Sequence, residues 1–81
     1  SIMNGEYEVI EAEIVETSEL INKELKNSNL PDEIRIGAIL RGEDVIIPRS
    51  NFIFKKEDTV VFLAKKNFLQ VVENMFRISS I

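Results

Sequence analysis

The chain has 81 residues, 44% of them hydrophobic, with 14 acidic and 10 basic side chains for a formal net charge of −4, and neither histidine nor cysteine. That length fits one domain, and the apolar content is that of a folded chain rather than a disordered one. The acidic balance argues against a nucleic-acid footprint; the missing His and Cys remove most metal sites and nucleophile triads; no apolar run approaches the roughly 20 residues of a membrane helix.

Glu6 to Val15 alternates, with Ile10, Ala12 and Ile14 on one face and Glu11 and Glu13 on the other, which predicts a half-buried strand. Thr17 or Ser18 offers an N-cap for a short helix with Leu20, Ile21 and Leu25 as its apolar stripe, ended by Asn27-Ser28-Asn29 and Pro31. The stretch Leu30 to Pro48, LPDEIRIGAILRGEDVIIP, organises the rest. Ile34, Ile36, Ala38 and Leu40 repeat at the strand period, Val45-Ile46-Ile47 is β-branched throughout, and Gly42 and Asp44 favour a turn. A β-hairpin with a four-residue loop, Arg41 to Asp44, is expected.

Phe52-Ile53-Phe54 reads as a brief strand or a loop that plugs the core, and Lys55 to Asp58 as a turn. Thr59 to Ala64 is the most continuous apolar run, expected as a central strand buried on both faces. Asn67 is placed to cap a last helix in which Phe68, Val72, Met75 and Phe76 share one face. The order of strand, helix, hairpin, short strand, strand and helix is α+β: one small sheet with two helices packed on it. Ser1 and Ile2 precede Met3, so residues 1–81 are expected to be a single domain excerpted from a longer chain.

Little catalytic chemistry is available. Glu11 and Glu13 share a strand face and admit a small hydrolase using a carboxylate pair, although exposed acids are also what alternation demands of a solvated face. Gly37 and Gly42, the two glycines beyond Gly5, complete no phosphate loop. Arg35 and Arg41 share strand parity with Gly37 and Ile39, opposite Ile34 and Ile36, and Arg49 lies just past the hairpin. These three arginines are the candidate ligand-binding residues, for an anion or nucleotide, against the simpler reading of ion pairs with the surplus acids. Gly37 and Ile39 are the candidate dimer interface, with Arg35 and Arg41 facing acids across the axis and the Phe68 helix as the other surface. A chain this short buries only about 60% of its unfolded surface, so pairing with a second copy is a natural way to add buried area.

LPDEIRIGAILRGEDVIIP, then Phe54 to Leu63, Lys65 to Phe68 and Val72 to Phe76, closely resemble the TrkA-C domain, also called RCK-C, of Trk-type potassium-uptake regulatory proteins. The resemblance runs from about Tyr7 to Phe76, with Ile36 to Gly42 its most specific part. It implies a βαβββα domain, association of such units in pairs, and a regulatory, non-catalytic role in a cytoplasmic subunit peripheral to the inner face of the cell membrane. There it would couple ligand state to transport through the membrane subunit of a potassium transporter. Nucleotide binding in such proteins belongs to a separate Rossmann-like domain whose glycine fingerprint this chain lacks, so no cofactor is carried over. Related domains bind cyclic dinucleotides between subunits, which makes a small-ligand sensor of another transporter the alternative. Two departures from the family pattern stand out: Asn22 replaces a common glycine near the first helix, and Glu57-Asp58 replaces the usual Gly-Asp before the last strand of the run. Asparagine tolerates the left-handed region better than glutamate does.

Overall fold

The computed structural model describes residues 6–73 and 76–79. Five antiparallel strands form one sheet: β1 (Tyr7–Ile14), β2 (Ile34–Arg41), β3 (Asp44–Ile46), β4 (Thr59–Lys65) and β5 (Phe76–Ser79), in the order β3-β2-β4-β1-β5. The strand expected from Glu6 to Val15 is β1, and the run at Thr59 occupies the centre of the sheet as β4. The hairpin is β2–β3. Its loop is shorter than expected, because Arg41 already pairs with Asp44 and only Gly42 and Glu43 turn the chain. Gly42 takes φ 59° while Glu43 is not among the residues with positive φ, the sign pattern of a type II′ turn.

One face of the sheet is covered. Ile10, Ala12 and Ile14 of β1 lie beside Val60, Phe62 and Ala64 of β4 and Ile34 and Ile39 of β2, all buried. Leu20 and Phe54 join the same core from outside the sheet, and the ring of Phe76 packs 5.3 Å from that of Phe62. Phe52 meets Phe54 edge-on at 5.4 Å, so the Phe52 to Phe54 stretch acts as the plug.

The expected helix after Thr17 does not form. Turns run from Glu16 to Asn22 and a single 3₁₀ turn covers Leu25–Asn27. The Ser18 hydroxyl accepts the Leu20 N–H at 3.1 Å, so the cap acts on a turn. Asn22 sits at φ 68°, which no helix can propagate through. Beyond it the backbone finds distant partners: Asn22 N–H donates to the Phe54 carbonyl (2.8 Å), Phe54 N–H to that of Lys23 (3.1 Å), and Leu25 N–H to that of Phe52 (2.8 Å). The two segments lace together over the core as a short extended ladder.

The last helix is also shorter than expected. A 3₁₀ turn at Lys66–Phe68 leads into α1 (Leu69–Val72), and Phe76 begins β5 instead of continuing the helical stripe. Met75 lies outside the described residues. β1 would otherwise present a free edge, and β5 satisfies it with the register Ile14↔Phe76 to Glu11↔Ser79. The α+β expectation of two helices thus becomes a nearly all-β layer covered by laced loops.

The register of β2 on β4 slips between Ile36 and Ala38, a β-bulge at Gly37. Before it Ile34 and Ile36 face the core; after it Ile39 does, opposite Val60. Ile39 is therefore 0% exposed, and its expected place on the open face is corrected. A Cβ on Gly37 would meet nothing closer than the Val61 carbonyl oxygen at 3.7 Å, so no close approach within the chain demands glycine there.

Candidate functional site

The three arginines expected to act together are separated by that bulge. Arg35 precedes it, on the open face beside Leu63, exposed. Arg41 follows it and turns to the covered side, where its Nε and Nη2 donate to the two carboxylate oxygens of Asp58 at 2.8 Å each. Nη2 also donates to the Ile53 carbonyl at 3.0 Å, and the guanidinium lies 5.0 Å from the Phe52 ring centroid. Arg49 is exposed beyond β3, and its described contact is through its backbone carbonyl, which accepts the Phe52 N–H.

Asp58 is the residue that sequence reasoning assigned only to a turn. Its side chain is 1% exposed and accepts, besides Arg41, the Lys55 N–H at 2.8 Å. The bidentate fork ties the hairpin end to the segment entering β4, across 17 residues of chain. The hydrogen bond from Arg41 to Asp58, helped by direct charge attraction and outweighing the desolvation that acts the other way, raises the arginine's pKa above its ordinary value. A cation raised in this way keeps its stabilising contribution below its unfolded pKa and loses it only as pH climbs through the folded one, so Arg41 stays charged throughout the neutral range. An arginine committed to a buried carboxylate is a structural clamp, not a free anion receptor. The available signal was an Asp at the foot of an apolar strand, with an Arg at the end of the neighbouring hairpin strand.

Arg35 lines an open cleft of about 290 Å³ with Leu25, Ser28, Leu30, Pro31, Asp32, Ile34 and Ile36, where among the described residues the start of β2 has no strand on the side away from β4. Glu11 and Glu13 are exposed on the open face of β1. Among the described residues no cluster of three or more potential metal ligands occurs, and no helix is long and apolar enough to cross a membrane. Phe68 is half-buried in the turn before α1.

The open face is unusual in its centre. Val61 and Leu63 of β4 are half-buried there, so β4 is covered on one face only and not on both. Val9 beside them is 51% exposed and Val45 at the edge 68%. Lys65 is occupied at one end, 5.7 Å above the Tyr7 ring. Among the described residues Arg35, Glu11 and Glu13 make no ion pair, whereas Lys66–Glu8 (3.4 Å), Lys56–Glu16 and Lys26–Glu24 (3.8 Å each) are surface pairs of small worth.

Such a fold is that of a small β-sheet domain with one finished face and one free face. The family model of the TrkA-C domain matches residues 9–77, and the chain belongs to that family. It is similar to the Trk system potassium uptake protein TrkA of Azorhizobium caulinodans, 37% identical over 79 residues that make up 98% of this chain and 17% of that protein. It is similar also to the Trk system potassium uptake protein TrkA homolog of Archaeoglobus fulgidus, 36% identical over 64 residues, 79% of this chain and 15% of that one. TrkA of Vibrio alginolyticus is 35% identical over 81 residues, 95% of this chain and 18% of that protein. The chain thus spans under a fifth of the length of the curated relatives it matches.

Proposed function

We propose that the chain is a regulatory, non-catalytic domain of a Trk-type potassium uptake system, carried by a cytoplasmic subunit peripheral to the membrane. In this reading it pairs with another TrkA-C unit and transmits ligand state to the transporter as a rigid body. The family match over residues 9–77, with TrkA proteins as relatives, carries this reading. A chimera tests it: the matching segment of the Azorhizobium relative is exchanged for this chain, and potassium uptake is compared with that of the relative and of a form lacking the segment. Uptake and its response to effectors persist in the exchange and change in the deletion. Equal behaviour of exchange and deletion would remove the regulatory role.

The cleft at Arg35 favours a second reading, a sensor of a small anionic ligand such as a cyclic dinucleotide. Arg41 is excluded from contact duty by its clamp, so Arg35→Ala, not Arg41→Ala, abolishes nucleotide binding in calorimetry. A nucleotide panel that leaves the unaltered chain unbound at millimolar concentration ends this reading.

A further inference from the structure

We infer that the partner seated on the open sheet face is a second copy of this chain, related by a two-fold axis that runs along the apolar diagonal Val9–Val61–Leu40, with Arg35 of each copy over Glu11 of the other. The inference rests on the pairing proposed above and adds its surface and register.

The strand registers place these residues on a grid. Val9 lies opposite Leu63 and Leu63 opposite Arg35; Glu11 opposite Val61 and Val61 opposite Ala38; Glu13 opposite Thr59 and Thr59 opposite Leu40. Neighbouring strands are about 4.8 Å apart and side chains on one face recur about every 6.7 Å along a strand. Each step from Val9 to Val61 to Leu40 is therefore one strand across and one side chain along, and the three fall on a line. Val45, opposite Leu40, extends the apolar end to the sheet edge.

This line divides the face by charge. Arg35 lies on one side, with Leu63 and Ala38 next to it; Glu11 and Glu13 lie on the other, with Thr59. When two copies pack face to face about an axis along the line, the interface plane maps each side onto the other. Arg35 then falls between Glu11 and Glu13 of the facing copy, within about one strand spacing of Glu11. Val61 meets its own counterpart, and Ala38 comes over Thr59. Arg77, in register beside Glu13, competes for that acid and leaves Glu11 as the main partner. Among the described residues Arg35, Glu11 and Glu13 make no ion pair, and of the apolar residues between them Val9 is exposed while Val61 and Leu40 are half-buried. An isologous interface requires that coincidence, while a solvated face of a single-layer sheet would alternate to polar residues at Val61 and Leu63.

The test is a charge exchange on the 81-residue chain, read by sedimentation at several concentrations and ionic strengths, with circular dichroism melts to verify folding. Glu11→Arg and Arg35→Glu both sit at exposed positions, and each weakens self-association tenfold or more by placing like charges together. An equimolar mixture of the two variants associates as tightly as the parent, because both contacts across the axis become opposite pairs; the double variant does the same with itself. A parent that dimerises regardless of either exchange overturns the proposed surface and keeps the pairing. A parent that remains monomeric at high micromolar concentration overturns both. Weakened singles that fail to rescue each other leave the patch in contact and refute the two-fold register.

Discussion

The covered and open faces of the sheet are built from the same three strands and differ in what happens to their apolar residues. On the covered face Val60, Phe62 and Ala64 are sealed by β1, β2 and the laced loops from Leu20 and Phe54. On the open face Val61 and Leu63, one residue along the same strand, keep part of their surface in water. The contrast teaches that a continuous apolar run in a small sheet need not be sealed on both sides: one face has the duty of folding, and the other, on the pairing proposed above, that of contact with a second copy.

The largest expected effect separates these duties. Ile39→Asp puts an unpaired carboxylate into the core opposite Val60, at a cost of several kcal/mol against a total stability of about 0.05–0.15 kcal/mol per residue. No cooperative melt should remain by circular dichroism. Leu63→Asp, on the other face, should keep a cooperative melt and lose self-association. Similar behaviour of the two variants would erase the distinction between faces.

Next in size is the clamp that joins hairpin and loops on the covered side. Arg41→Ala removes two charge-assisted hydrogen bonds from a buried carboxylate and should cost about 2 kcal/mol in urea unfolding. An unchanged midpoint would mean that water replaces the guanidinium without loss. The smallest expected effect is a gain. Glu57 is held at φ 72°, so Glu57→Gly should raise stability by about 1 kcal/mol, whereas Asn22→Gly, at φ 68°, should change it by only a few tenths. Equal gains at both sites would show that side-chain type does not decide the strain.

The hairpin, the central strand and β1 were legible because alternation and β-branching are local signals. The left-handed backbone at Asn22 was legible too, through the glycine that the family pattern holds there; at Glu57 the glutamate argued for a different turn, yet the backbone keeps φ 72°. The bulge was not legible. Period-two counting carries Ile34 and Ile36 onward to Ala38 and Leu40, and one unpaired residue at Gly37 reverses every side chain after it. Ile39 and Leu40 thereby exchange the faces that counting gives them, and Arg35 parts from Arg41. Phe68, Val72 and Phe76 fit a helical stripe by spacing, but Phe76 is claimed by the free edge of β1, a long-range demand that no local window contains. Asp58 looked like one more polar turn residue because its partner lies on another strand.

The position of β1 also bears on how the chain acquires its shape. It is the first of the five strands in sequence order, yet both its neighbours, β4 and β5, are the last two. The hairpin of β2 and β3 closes early and locally, and β4 then docks beside it; β1 must wait with both edges bare until β4 arrives. Pairing across so long a loop costs more chain entropy than closing the local hairpin, so joining of β1 is expected late, leaving an interval in which stray strands find an open edge. The alternating glutamates Glu11 and Glu13 on that strand then serve the nascent chain as well as the folded one, because like charges discourage two unfinished copies from zipping together through β1.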